Sequence, residues 1–312
     1  NFVIQNALEF NVDGIVVIST DIPVVAAAKA CQELGFASVS PHSAEVSVNK
    51  FLQRHLMRDA GLLTPNFKKF HDQLSFKASI SEIGFPCVVK PVDGSGSRGV
   101  TLVQGKNDLN AAMHSALANS KTGQGLIEKF VEGPEIAVDG FVINGQLRII
   151  AISDKLRSKG PYLVDTEALF PSILEASDKL NVQKIAQKAV SVCGLDNCPV
   201  HIEIIKSING PVIVELAARG AGFNIFSQIL PFVSGVDTVS TQIRLALGQR
   251  DEVLPEFCER SAVISYIHAR PGVVISLLGV EEVASIPGVE EVSIYVNVGD
   301  VVKELKSGSD RI

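Results

Sequence analysis

Along the chain, short apolar runs are interleaved with longer stretches in which apolar residues recur every three or four positions, a pattern of strands alternating with amphipathic helices. Residues 14–18 (Gly-Ile-Val-Val-Ile), bounded by Asp13 and Ser19-Thr20, predict a buried strand. Asp21-Ile22-Pro23 then opens a periodic stretch over 24–34 that Gly35 closes, which predicts a helix. Asn49 is placed to cap a helix running to residue 60, with Gly61 and Pro65 beyond it, and a second helix is expected over 72–83. From Pro86 the period shortens. Residues 87–90 and 100–103 read as strands around a glycine- and serine-rich turn, followed by a helix over 108–118 and a strand over 125–130. Residues 136–143 and 147–153 alternate across Asn144-Gly145, a strong hairpin signal. Residues 156–174 show little pattern and read as a loop. A helix over 176–193, strands over 201–206 and 212–216, and helices over 223–230 and 236–247 lead to Gly248. From Ser261 the tail reads β-rich, with turns expected at Pro271-Gly272, Pro287-Gly288 and Gly299-Asp300.

Composition narrows the class. The chain has 312 residues, which at roughly 150 residues per domain suggests two domains or more. Hydrophobic residues make up 46% and charged residues 20%, as in a folded protein rather than a disordered one. With 28 basic against 34 acidic residues, the net charge of −6 argues against a nucleic-acid footprint. No apolar run approaches the about 18 residues of a membrane span. Cys31, Cys87, Cys193, Cys198 and Cys258 are scattered and read as reduced thiols of a cytoplasmic protein. Cys193 and Cys198 lack the second pair that zinc would require. The chain opens at Asn1 with no signal-peptide features. One βα unit before residue 43 cannot cover a parallel sheet, so the expectation is an N-terminal α/β domain present in part and a C-terminus that is clipped.

Two features bear on chemistry. The loop Asp93-Gly94-Ser95-Gly96-Ser97-Arg98-Gly99 lacks the Gly-Lys-Ser/Thr of a Walker loop and does not lead into a helix. It joins two strands, with Lys90 at the end of the first. Its backbone N–H groups and hydroxyls suit a polyphosphate, and a plain surface hairpin is the other reading.

The second feature is the pair of strands carrying His201, Glu203 and Ile205 on one face and Ile202 and Ile204 on the other. A two-residue turn at Asn209-Gly210 would put Glu203 and Glu215 on opposite faces. A three-residue loop with Gly210 in a left-handed bulge would set them directly opposite, with Cβ atoms about 5 Å apart. Two carboxylates that close repel by roughly 3 kcal/mol at an effective dielectric of ~20. A divalent cation turns this repulsion into a binding site, and Mg²⁺ is held by one or two carboxylates together with substrate phosphates. The alternative is a solvent-facing hairpin with two ordinary glutamates.

Taken in order, several motifs resemble the ATP-grasp superfamily of carboxylate–amine and carboxylate–thiol ligases over about residues 43–250. They are Asn49-Lys50 opening a helix that ends in Ala-Gly-Leu-Leu-Thr-Pro; Gly84-Phe85-Pro86-Cys87-Val88-Val89-Lys90-Pro91 before the glycine loop; Glu128-Lys129-Phe130-Val131-Glu132-Gly133-Pro134-Glu135; and Glu203 with Glu215-Leu216-Ala217-Ala218-Arg219. The resemblance implies an α/β (α+β) ATP-grasp fold. Its parts would be a partial biotin-carboxylase-like domain over 1–42, an ATP-grasp domain over 43–250 with a mobile lid over about 66–129, and a β-rich C-terminal domain over 251–312. The last part is similar to that of bacterial L-amino-acid ligases.

The same resemblance implies roles. Lys50 and Lys90 would bind ATP phosphates, with Gly94, Ser95, Gly96, Ser97 and Gly99 closing over them. Glu128, Lys129 and Val131 match the adenine hinge, Glu135 would hold the ribose, and Ile205 would pack beneath the base. Glu203 and Glu215 would carry Mg²⁺ or Mn²⁺. Many members have Glu-x-Asn-x-Arg where this chain has Ala217, and amino-acid ligases have Glu-x-x-His where it has Glu167-x-x-Phe170. Glu167, Phe170 and Gly220 would face the substrate. The implied reaction activates a carboxylate as an acyl phosphate and transfers it to an amine. Arg219 would steady the oxyanion, and Lys155 and His201 would contact the γ-phosphate or substrate. For His201 a satisfied core histidine is the other reading, and for Lys155 a surface lysine. Arg148 and Arg157 receive no role. The partners are small carboxylate and amine substrates, with no nucleic acid or membrane, and a homodimer is left open. Bicarbonate activation, as in biotin carboxylase or carbamoyl phosphate synthase, and a non-catalytic ATP-binding module are the alternatives.

Overall fold

The structure, a computed structural model, describes residues 2–250 and 260–312. Helices α1 (Phe2–Glu9), α2 (Val24–Leu34) and α3 (Pro41–Ser47) precede α4 (Lys50–Asp59). The side chain of Asn49 accepts the Phe51 and Leu52 N–H groups, so α4 begins with Lys50 in its first turn. Gly35 ends α2 in the left-handed region, at φ 74°.

A small antiparallel sheet follows, made of β1 (Phe67–Phe70), β2 (Cys87–Pro91), β3 (Thr101–Val103) and β4 (Gly125–Lys129) in the order β1-β4-β2-β3. Phe76 from α5 (Gln73–Ile83) and Met113 from α6 (Leu109–Ala118) join Phe70, Val89 and Ile127 of this sheet in one core. The large sheet comprises β5 (Glu135–Ile143), β6 (Gln146–Arg157), β7 (Asp165–Phe170), β8 (Cys198–Ser207), β9 (Gly210–Ala217) and β10 (Ala262–Ser265), in the order β10-β7-β6-β5-β8-β9. On one of its faces Ile136, Val138, Ile202 and Ile204 pack against Val182 and Ala186 of α7 (Ala176–Val192). Phe141 and Phe170 belong to a second core with Phe226, Leu230 of α8 (Leu230–Ser234) and Leu245 of α9 (Thr238–Ala246). No described helix is long and apolar enough to cross a membrane.

Several expectations are corrected. Residues 14–18 pair with no strand among the described residues. Their carbonyls are met singly instead, Ile18 by the Gly220 N–H at 2.8 Å and Val17 by the Gln242 side chain at 2.7 Å. The stretch 156–174 contains strand β7, whose alternation is weak because it lies between β6 and β10 and is only partly buried. The tail is β-rich only in part. β10 completes the large sheet, β11 (Gly272–Val273) and β12 (Val301–Val302) form one short ladder, and a helix, α10 (Val280–Ala284), stands between them. Helix α1 was not anticipated, and the stretch 223–230 opens as a π-turn over Ile225–Ile229 before α8. The expected boundary at 250/251 and Cys258 fall outside the described residues.

The β8–β9 hairpin reaches its expected pairing by another route. Its turn is Ile208-Asn209, with Ser207 facing Gly210. This register would set Glu215 opposite Ile202, on the α7 side. A β-bulge at Val214 shifts the ladder by one residue, so that Glu203 faces Glu215 directly.

Candidate functional site

Between the two sheets runs a cleft of about 350 Å³. Period two along β8 turns Ile202 and Ile204 into the core and His201, Glu203 and Ile205 toward the cleft, where Glu215 joins them. Lys50, Lys90, the loop residues Gly94 to Ser97, Glu128, Lys129, Val131, Lys155 and Arg219 line the same space. Gly99, Glu135, Glu167, Phe170 and Gly220 do not. A Cβ on Gly99 would meet the Ser115 carbonyl of α6 at 2.9 Å, and one on Gly220 would meet the Phe226 ring at 2.2 Å, so both glycines serve packing. Phe170 is a core residue, 3% exposed.

At the end near α4 and β2 the charges interlock. Lys50 Nζ donates to the Gly94 carbonyl at 2.6 Å and sits 3.2 Å from Glu215. Glu128 is buried between Arg54, at 2.6 Å, and Lys90, at 2.5 Å. Burial alone would raise the Glu128 pKa, but the two cations hold it below the usual carboxylate value. Burial, with Arg54 and Lys50 nearby, lowers that of Lys90 against the pull of Glu128. The Lys129 N–H is already donated to the Asn66 carbonyl at 2.8 Å.

Across the cleft floor, Lys155 meets Glu135 at 3.0 Å, Asp165 at 2.9 Å and Glu203. Arg157 pairs with Glu135 and, at 3.5 Å, with Asp165. Burial opposes the charged lysine, but its three carboxylate neighbours raise its pKa well above normal. Burial likewise opposes a charged Glu203, and Lys155 followed by His201 keeps it well below normal. Glu135 moves the other way, because burial outweighs its cationic partners. His201 Nδ1 bonds Asp139 at 2.8 Å, and Nε2 lies 3.5 Å from Glu203. Burial would lower the His201 pKa, but these carboxylates lift it to about 9.

At the other end Arg219 forms a two-pronged pair with Asp21, at 3.0 and 3.2 Å, and donates to the Gly220 carbonyl at 3.1 Å. Burial would raise the Asp21 pKa, and Arg219 brings it below normal instead.

Sequence reasoning missed Asp21, Arg54, Asp139 and Asp165. For Arg54 a signal existed, since it lies four residues after Lys50 on one helix face. An aspartate inside the apolar run of β5 was a signal for Asp139. Asp21 had none, being 198 residues from its partner.

Two carboxylates side by side, each already holding an ammonium group, form a hard-oxygen donor set that suits Mg²⁺. No group of three or more potential ligands is found among the described residues. The remaining coordination positions would therefore fall to substrate oxygens and water.

Comparisons with known proteins agree with this architecture. Residues 83–226 match the ATP-grasp domain, and residues 265–312 match the L-amino acid ligase C-terminal domain 2. The chain is 28% identical over 288 residues to the protein y4rH of Sinorhizobium fredii, covering 91% of this chain and 59% of that one. It is 27% identical over 277 residues to the alanine–anticapsin ligase of Bacillus subtilis, covering 81% and 58%. It thus spans less than two thirds of either relative. Its fold is similar to that of an L-amino acid ligase from Bacillus licheniformis, with a TM-score of 0.81, 24% identity, and coverage of 96% of this chain and 74% of that one. It is also similar to the biotin carboxylase domain of Hydrogenobacter thermophilus 2-oxoglutarate carboxylase, with a TM-score of 0.71, 21% identity, and coverage of 86% and 61%. The chain thus carries an ATP-grasp domain followed by a C-terminal domain of the L-amino acid ligase type.

Proposed function

We propose that this chain is the catalytic part of an ATP-dependent carboxylate–amine ligase that forms an amide through an acyl phosphate. The observation that carries the reading is the direct pairing of Glu203 with Glu215 on the floor of a cleft that also presents Lys50 and Lys90. Phosphoryl transfer needs charge neutralisation and positioning more than covalent help. Lys50, Lys90 and Lys155 supply fixed positive charge, and Glu128 holds Lys90 in place. Mg²⁺ on Glu203 and Glu215, when bound, neutralises phosphate charge beside them. The adenine lies along Lys129, Val131 and Ile205. Glu135 is left out of nucleotide contact, because it is 4% exposed and engaged by Lys155 and Arg157.

A carboxylate oxygen of the substrate takes the γ-phosphoryl group as ADP leaves. The amine then attacks the acyl carbon, and the intermediate collapses to the amide by expelling inorganic phosphate, which carries off the amine proton. The tetrahedral oxyanion that forms needs a donor aimed at it. Arg219, steadied by Asp21, keeps N–H groups beyond those three bonds for this purpose.

The test is ADP release by the full chain with Mg²⁺-ATP, offering amino acids pairwise and bicarbonate separately. Release that depends on an acid and an amine together supports the ligase. Release with bicarbonate alone points to the carboxylating branch, and tight nucleotide binding with no release under any condition points to a binding module. Glu215→Gln is expected to lower turnover at least about a hundredfold while the fold persists, by analogy with the loss of a charge-stabilising group. A near wild-type rate would remove the cation from Glu215.

A further inference from the structure

β9 is the outer strand of the large sheet, so peptide groups on its free side need partners other than a strand. One helix supplies them at the position that matters. Gln53 Nε2 donates to the Leu216 carbonyl at 2.8 Å, and its Oε1 accepts the Leu216 N–H at 3.2 Å. The side-chain amide thus stands where the peptide of a neighbouring strand would. Arg54, the next residue of α4, donates from Nη2 to the Val214 carbonyl and from Nε to Glu128 at 2.6 Å. Lys50, one turn earlier, reaches Glu215 itself. Val214 and Leu216 flank Glu215, and Val214 is the bulge residue. Gln53 and Arg54 are both 0% exposed, and neither lines the cleft.

The bulge decides which way Glu215 points. In the register set by the turn, Glu215 would share a face with Ile202, in the core against α7. A bulge can migrate along a ladder unless something holds it. Here α4 holds both peptide groups beside it, and through Arg54 and Glu128 the same helix is tied to Lys90.

We propose that Gln53 and Arg54 are positioning residues that lock the bulge at Val214, so that Glu215 presents its carboxylate to a divalent cation. This rests on the reading that Glu203 and Glu215 bind that cation. Neither residue touches the cation or the substrate; both act through the backbone of β9.

The test uses the full chain, with Mn²⁺ as the probe in the presence of ADP. Mn²⁺ affinity is read by electron paramagnetic resonance, and the Leu216 amide by hydrogen exchange. Gln53→Leu removes both bonds to Leu216 at similar volume, together with those from Nε2 to the Val46 and Ser47 carbonyls at 3.1 and 2.9 Å. It is expected to weaken Mn²⁺ binding about tenfold, the usual effect of losing a group that orients a ligand. Faster exchange at Leu216 should accompany this, with metal-free ADP affinity unchanged. Arg54→Lys keeps a cation beside Glu128 but shortens the reach to Val214, and should shift Mn²⁺ binding in the same direction. Wild-type Mn²⁺ affinity in a folded Gln53→Leu chain overturns the proposal. If Glu215→Gln binds Mn²⁺ as tightly as the wild type, the cation reading itself falls and takes the proposal with it. Loss of Mn²⁺ binding in Glu215→Gln beside full retention in Gln53→Leu refutes the clamp alone.

Discussion

The two ends of the cleft are built by different means. Near α4 and β2 the charged groups sit on regular elements and are buried: Lys50 and Arg54 on one helix, Lys90 and Glu128 on paired strands. At the Arg219 end the groups come from irregular segments far apart in the chain. Asp21 precedes α2, Phe223 and Asn224 adopt φ of 54° and 61°, and Arg311 lies over the rings of Tyr266 at 3.7 Å and Phe223 at 4.2 Å. The difference fits the two tasks proposed. A nucleotide's phosphates are invariant and suit a rigid cradle, whereas a subsite that selects among substrates can be built from loops resting on a scaffold.

The contrast breaks first at Arg54. Replacing it with Met leaves the buried Glu128 carboxylate to Lys90 alone and strips a donor from the Val214 carbonyl, and breaking a buried pair from one side costs about 3–5 kcal/mol, measurable by urea denaturation. A loss below about 1 kcal/mol would mean that the rigid end is not held by its charges. Next in size, Arg219→Met at the loop end should lower amide formation about a hundredfold, as does removal of an oxyanion donor, with nucleotide affinity unchanged. Equal loss of nucleotide binding would show that the two ends are not separable.

Acid offers a smaller test. The Glu128 pKa is depressed on folding, so its contribution to stability is complete above about pH 4.5, the unfolded value, and disappears as pH falls through the lower folded value. The difference in urea midpoint between wild type and Glu128→Gln should accordingly shrink below pH 4.5. A difference constant from pH 7 to pH 3 would contradict the assigned direction. The smallest effect is expected from Arg311→Met, which removes the stack on Tyr266 and Phe223. About 1 kcal/mol of stability should be lost, with no change in nucleotide affinity.

How much was legible follows from the same contrast. Helices α2, α4, α5 and α7 were legible through periodicity and caps, because Asn49, Asp72 and Gly35 act on backbone groups within a few residues of themselves. The cleft-facing side of β8 was legible because alternation along a strand is local. β7 was not, since Asp-Thr-Glu-Ala-Leu-Phe becomes a strand only between neighbours from distant parts of the chain. The three-residue loop with a Gly210 bulge, expected to bring the glutamates together, was not met for a similar reason. The turn is Ile208-Asn209 alone, and the bulge lies at Val214, held by a helix 163 residues away along the chain.

What the sequence determined by itself is therefore the capped helices α2, α4 and α5, the order of the charged residues, and the face of β8 that carries His201 and Glu203, because side-chain periodicity is written into adjacent residues. Only the tertiary structure decided that Glu215 turns to that same face, that Glu128 lies between Arg54 and Lys90, and that Asp21 grips Arg219. Register and ion pairing depend on which distant groups are left to satisfy a buried carbonyl or a buried charge, and no local pattern records that choice.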